Sequence, residues 1–307
     1  MTAQQNKVGI VGMGDMGSGL AKNLLQNGFD VCGFDLSPDR MKQFADMGGQ
    51  AAANLSEVAA GARAVFVMVM TGAQAQAVIF DEGGLADHLP AGGVIILTAT
   101  IKPAESEDIH ARLTGRGLSL IDSPVSGGFP GAQSGTLTMM AAGSDADMAS
   151  CADIMQAVSK TIHHVGDAAP KGQIVKACLQ SLIGSIFSAT FEASVLAAKA
   201  GVSGQTLFDV FSSSGAGCGV ANSALENIID RQFEGTGSHI ATMHKDLTIS
   251  LALAEQLGVP LHTASTAMQL FHAGKTKYPD GDNWVVTRVL EDIVGAELHR
   301  KADWEGS

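Results

Sequence analysis

A doubly wound α/β domain followed by an all-helical domain is the fold class this chain predicts, on three observations. Short apolar runs alternate with helical stretches through the first half. Two of those runs, Ala64–Val69 (AVFVMV) and Val94–Leu97 (VIIL), are apolar at consecutive positions, as strands covered on both faces are. After about residue 165 the strand-like runs stop, and helical segments punctuated by glycine and proline follow. A length of 307 residues also exceeds what one core usually serves, so two domains are expected, 1–165 and 166–307.

The elements follow in order. Lys7–Val11 reads as the first strand and ends at glycines, and Ser18–Gln26 reads as a helix. Phe29–Phe34 is a second strand, with a helix after Pro38. Ala64–Val69, Val94–Leu97, Leu118–Ile121 and Leu137–Ala141 add further strands. From Lys171 to Ala200 there is no proline and little punctuation, which predicts one long helix, ended by Gly201, as the joint between the domains. Helices over 203–213, 220–230, 238–257, 262–273 and 283–298 complete the second domain, with breaks at Gly215–Gly219, Gly235–Gly237, Gly258–Pro260 and Pro279–Gly281.

Composition narrows the function classes. The net charge of -12 disfavours nucleic acid and anionic membranes as partners. No run of about 18 unbroken apolar residues is present, and Met1–Lys7 lacks the apolar stretch of a signal peptide, so no membrane partner is expected. Cys32, Cys151, Cys178 and Cys218 form no C-x-x-C pair and read as reduced thiols of a cytoplasmic protein. The nine histidines make no compact ligand set, so no metal is expected. The absence of G-x-S-x-G leaves a serine hydrolase unsupported.

The strongest local signal is GIVGMGDMG, residues 9–17. Gly12, Gly14 and Gly17 fit G-x-G-x-x-G directly after a strand and at the opening of a helix, the setting of a Rossmann-type dinucleotide site. Gly12 allows the tight turn, Gly14 lets a pyrophosphate reach the backbone, and Gly17 lets the helix pack on the strand; Met13, Asp15 and Met16 complete the loop. Asp35 ends the second strand, where a carboxylate can bond ribose hydroxyls and would repel a 2′-phosphate. NAD is therefore expected over NADP. A P-loop is discounted, because Ser18-Gly19-Leu20 follows Gly17 where Lys-Ser or Lys-Thr is needed.

A second constellation is DSPVSGG, residues 122–128, just after a strand, where ligands of open α/β sheets bind. The Ser126 hydroxyl and the Gly127 and Gly128 amides could hold a carboxylate; alone, the spacing also fits an ordinary Ser-Gly turn. Gly172, Lys176 and Gln180 recur at i, i+4 and i+8 in KGQIVKACLQ and share one helix face. A lysine inside an apolar helix is costly to bury without a purpose, and beside a hydroxy acid it could exchange the hydroxyl proton; a snorkelling lysine is the plainer alternative. Lys245 and Asp246, in HKDL, read by themselves as a solvated helix pair.

Together, GIVGMGDMG, DSPVSGG, GQIVKACLQ and HKDL stand in the order and spacing of the β-hydroxyacid dehydrogenase family, which the chain resembles over about residues 7–295. That 3-hydroxyisobutyrate dehydrogenase-like family includes tartronate semialdehyde reductases and L-threonate dehydrogenases. The resemblance implies that Ser126, Gly127 and Gly128 bind the substrate carboxylate and that Lys176 is the acid/base. It implies that Lys245 lies near the nicotinamide with Asp246 in support, and that Thr100, in LTATIKP, lines the cofactor side. Leu179 and Gln180 stand where many members carry two asparagines, and Leu97 and Ala99 where many carry an acidic residue and a serine. The Gln180 pattern is most similar to the L-threonate dehydrogenase branch. Lys176 argues against the related imine reductases.

The expected activity is NAD-linked hydride transfer on a small anionic 2- or 3-hydroxy acid, favouring a four-carbon aldonate such as L-threonate, with Gln180 orienting the hydroxyl. The alternatives are a 3-hydroxyisobutyrate dehydrogenase, a reductase of tartronate or another semialdehyde, and a non-catalytic NAD-binding protein. The apolar long helix and the family resemblance both point to a homodimer or homotetramer.

Overall fold

The computed structural model describes residues 6–301. The chain divides between Lys176 and Ala177 into two units, so the first turn and a half of the long helix counts with the sheet.

In the first unit the strands are β1 Lys7–Val11, β2 Asp30–Phe34, β3 Gln50–Ala51, β4 Ala64–Val67, β5 Val94–Leu97, β6 Ser119–Asp122, β7 Val125–Ser126, β8 Leu137–Ala142 and β9 Ser159–Gly166. They form one sheet in which β3-β2-β1-β4-β5-β6 run parallel. β8 pairs antiparallel with β6 and β7, and β9 lies parallel to β8. Chain order reverses at β1, from which β2 and β4 depart on opposite sides, and such a switch point opens a crevice at the carboxyl ends of the strands.

The consecutive apolar residues of β4 and β5 serve two cores. Ala64, Phe66, Val94 and Ile96 pack with Leu20 and Leu24 on one face; Val65, Val67, Ile95 and Leu97 pack with Ile79 and Ile109 on the other. Alternate residues of a strand point to opposite faces, so a strand buried on both must be apolar throughout. Local chemistry starts the helices. Ser37 caps Pro38–Asp46 by accepting from the Arg40 amide, and Thr71 with Gln74 forms a capping box before Gly72–Phe80.

β3, β7 and β9 are additions to the strands expected from sequence. β9 is an edge strand whose residues are mostly exposed or half-buried, so SKTIHHVG carries little apolar signal. The expected 283–298 helix is shorter: a 3₁₀ turn at Asn283–Val285, then Val286–Val294, stopped by Gly295 in the left-handed region (φ +62°).

The long helix spans Lys171–Lys199 and is long and apolar enough to cross a membrane by length and composition alone, where the sequence predicts no membrane partner. The second unit contains the rest of this helix with Gly204–Ser213, Gly219–Ile229, Ile240–Leu257, His262–Lys277 and Val286–Val294. Its core gathers aromatic rings: Phe187 stacks on Phe191 one turn along (centroids 6.0 Å apart), and Trp284 meets Phe187 edge-on at 5.9 Å.

Candidate active site

The glycine loop lies between β1 and the helix Asp15–Gln26. Gly12 has φ +93°, and a Cβ there would stand 2.2 Å from the Met68 carbonyl oxygen, so no other residue fits. Over Gly14 the space is open: only the Arg40 guanidinium, 3.9 Å from a built Cβ, comes within 4 Å. The Met13 and Met16 side chains pack into the core, so any cofactor contact at those positions falls to their backbone. Asp15 is exposed in the first helical turn.

Asp35 stands just past β2 and locks onto this loop. Its Oδ2 accepts from the Met13 amide (2.7 Å) and its Oδ1 from the Ser37 amide (2.8 Å), while Arg40 lies 3.8 Å away. Gly14 supplies no side-chain cap to the helix that follows. A bare backbone over Gly14, an uncapped helix start and a fixed carboxylate at the end of β2 suit a dinucleotide with its pyrophosphate on the helix and its ribose at Asp35.

The second loop runs from the end of β6 through β7 to Gly128. Ser126 is half-buried and pairs with Thr138 of β8; Gly127 (φ +129°) and Gly128 (φ +58°) are exposed. Lys176 is 6% exposed, and its Nζ donates to the Val125 carbonyl at 2.8 Å, one residue before Ser126. Gly172 lets the helix start close on the strand ends, since a Cβ there would lie 2.4 Å from the Asp122 carbonyl oxygen and 2.7 Å from that of Met140.

Asp122 is fully buried, and burial pushes its carboxyl up to about 6, against the hydrogen bonds from Gln173 that favour the charged form. Gln173, 1% exposed, donates through its backbone N–H to Asp122 Oδ2 (3.1 Å) and through Nε2 to Asp122 Oδ1 (2.8 Å) and the Ala99 carbonyl (3.0 Å). Its Oε1 accepts from the Ile101 amide (3.0 Å), so it grips the residues on both sides of Thr100.

Within the second unit, Gln180, Lys245 and Asp246 come together. Gln180 Nε2 donates to Asp246 Oδ2 (2.5 Å), and Lys245 Nζ lies 2.9 Å from Asp246 Oδ1. Asp246 is 3% exposed, which corrects the reading of Lys245 and Asp246 as a solvated pair: one partner is buried.

Residues 7–166 match the family profile described as the NAD binding domain of 6-phosphogluconate dehydrogenase, and residues 170–290 the one described as NAD-binding of NADP-dependent 3-hydroxyisobutyrate dehydrogenase. An L-threonate dehydrogenase of Cupriavidus necator is 31% identical, over 96% of this chain and 99% of that protein. A 2-(hydroxymethyl)glutarate dehydrogenase of Eubacterium barkeri is 30% identical, over 95% and 97%. The crystal structure of a 3-hydroxyisobutyrate dehydrogenase from Salmonella typhimurium superposes with a TM-score of 0.85 at 31% identity, covering 92% of this chain and 99% of that one.

The chain belongs to the β-hydroxyacid dehydrogenase family.

As a member of this family it is a hydroxyacid dehydrogenase with an NAD-binding first unit. The doubly wound sheet, the all-helical second unit and the long helix are those the sequence predicts. Two residues close to the candidate site escaped the sequence reading. Gln173 lay inside the quoted GQIVKACLQ, but its neighbours in the fold are 51–74 positions away in the chain. Arg40 follows Asp35 by only five residues, and a cation so near an acidic strand end was the available signal.

Proposed function

We propose that this protein oxidises a small hydroxy acid with NAD, and that its substrate is a four-carbon aldonate such as L-threonate. The observation that carries the reading is the buried amine of Lys176, held 2.8 Å from the Val125 carbonyl beside Ser126. A buried lysine on a serine-glycine loop joins a proton acceptor to a carboxylate cradle. Ser126 and the Gly127 and Gly128 amides hold the carboxylate. Lys176 takes the hydroxyl proton as the carbinol carbon loses its hydride, and returns it in reduction. NAD, when bound, accepts that hydride. Gly12, Gly14 and Gly17 seat the pyrophosphate with the backbone of Met13, Asp15 and Met16, and Asp35 takes the ribose hydroxyls and selects NAD over NADP.

Gln180 has its amide held by Asp246, which Lys245 also meets; on the family resemblance we assign Gln180 to the reacting hydroxyl and Thr100, Lys245 and Asp246 to the nicotinamide. The choice of L-threonate is supported by the Cupriavidus relative and by others of that name in Escherichia coli and Haemophilus influenzae, at 30–31% identity. The enzyme is cytoplasmic and a homodimer or homotetramer. Support for self-association comes from Leu182, Ala189 and Leu196, exposed at seven-residue intervals along the long helix; a single-chain mass by light scattering would remove it.

The test is NADH formation across threonate, erythronate, glycerate, 3-hydroxyisobutyrate, 4-hydroxybutyrate and sulfolactate, repeated with NADP. Turnover led by threonate is expected. A clear preference for 3-hydroxyisobutyrate would move the enzyme to that substrate. Silence with NAD still bound, in both directions, would leave only an NAD-binding protein.

A further inference from the structure

Asp122 and Lys176 are the buried acidic and the buried basic residue of the first unit, among the described residues. Gln173 links them. It sits on the first turn of the helix that carries Lys176, three residues before it, with both of its amide groups committed to fixed partners. The orientation of its side-chain amide is determined, because a flip would turn its oxygen toward the Asp122 carboxylate and the Ala99 carbonyl and its NH₂ toward the Ile101 N–H. A 29-residue helix thus begins on a tertiary cap: the Asp122 carboxylate receives the Gln173 backbone N–H that a capping side chain would otherwise take. The same side chain bridges the two residues that flank Thr100. Three pieces from distant parts of the chain meet at this amide: the loop after β5, the end of β6 that leads to Ser126, and the turn that carries Lys176.

We propose that Gln173, gripped by Asp122, is a positioning residue that sets the spacing of the Thr100 loop, the Ser126 loop and the Lys176 amine. It touches no reacting atom. The proposal rests on the roles given above to Lys176 and Ser126. Its consequence is that losing the amide slows turnover without weakening the grip on either ligand, because displacements of an ångström in the reacting groups cost rate before they cost affinity.

The experiment compares wild type, Gln173→Met, Asp122→Asn and the double variant with L-threonate and NAD as probes. Methionine nearly matches the volume of glutamine and makes no such hydrogen bonds. In Gln173→Met, kcat is expected to fall about tenfold to a hundredfold, with the KM for threonate and the Kd for NAD within about threefold. The double variant is expected to be no slower than the worse single one, since the pair acts as one unit. Amide exchange at Ile101, which loses its acceptor, should quicken about tenfold. Unchanged kcat alongside faster Ile101 exchange would overturn the proposal, as would a rate loss that merely follows unfolding or a matching loss of NAD binding. Gln173→Asn, shorter but still an amide, replaces Gln173→Met if that variant does not fold, with the same outcomes. Wild type without turnover on any acid would sink the functional reading instead. The positioning claim is then decided by acylation of Lys176 with an amine-reactive ester: faster labelling in Gln173→Met supports it, and an unchanged rate overturns it.

Discussion

The two loops that make up the candidate site in the first unit are held by different means. The glycine loop at residues 12–17 is shaped by its own backbone: a positive φ at Gly12, a Cβ position blocked by Met68, and one carboxylate, Asp35, fastened to it. The loop at 122–128 is held from outside, by Gln173 and Lys176, more than fifty positions on in the chain. Backbone shape needs particular residues at fixed spacing and leaves a sequence motif. Side-chain clamps need only a partner of the right chemistry within reach and leave almost none. The first loop should therefore fail through cofactor binding, and the second through rate.

The sharpest test of that contrast is Lys176→Ala. Turnover should drop by at least about a hundredfold, the usual scale for a lost general acid–base, while NAD affinity measured by calorimetry stays at the wild-type value. A variant that turns over normally would remove Lys176 from the chemistry; one that loses NAD binding as well would erase the distinction between the loops.

Asp122 gives the next largest effect, seen in stability against pH. Its carboxyl titrates at about 6 in the folded chain and near 3.8 when unfolded. Below about pH 4 it is neutral in both states. As pH rises toward 6 the unfolded chain ionises first, so the stability this group contributes is full below the lower value and lost on the way to the higher one. Asp122→Asn removes the titration. The unfolding free energy of wild type relative to the variant should fall between pH 4 and 6, by up to about 3 kcal/mol for a shift of roughly two units. A flat difference across that window would mean that Asp122 is not held as described.

Gly12→Ala probes the backbone-built loop. The left-handed φ and the 2.2 Å approach to Met68 predict a loss of about 1–3 kcal/mol in chemical denaturation, together with weaker NAD binding. The kcat at saturating NAD should be little altered, the opposite pattern to Gln173→Met.

What was legible in the sequence follows the same division. The strands of AVFVMV and VIIL announced themselves because both faces are covered, while β9 did not because its edge is wet. The G-x-G-x-x-G loop and Asp35 could be read because each position answers to a local constraint. Gln173 could not, as nothing in its neighbours on the chain says that Ala99, Ile101 and Asp122 converge on it. Asp246 was misread for the same reason: a charged pair on a helix looks solvated until the fold buries one member and brings Gln180 to it.

The smallest effect concerns the ribose end of the glycine loop, where backbone and side chain meet. The Asp35 carboxylate already accepts from Met13 and Ser37, and Arg40 stands 3.8 Å away with half of its side chain exposed. In wild type that cation faces a carboxylate, and a 2′-phosphate would have to displace the pairing and meet the negative charge as well. Asp35→Ser removes the repulsion, keeps a hydroxyl for the neighbouring amides, and leaves Arg40 able to turn to the phosphate. Charges about 4 Å apart are worth on the order of 1 kcal/mol when water screens them fully, so the ratio of NADP to NAD efficiency should rise about fivefold. Adding Arg40→Ala should cancel most of the gain. If the ratio stays put in Asp35→Ser, the preference for NAD lies elsewhere than in this carboxylate. If it rises and Arg40→Ala does not reverse it, removal of the like charge is enough, and the nearby cation plays no part in the choice.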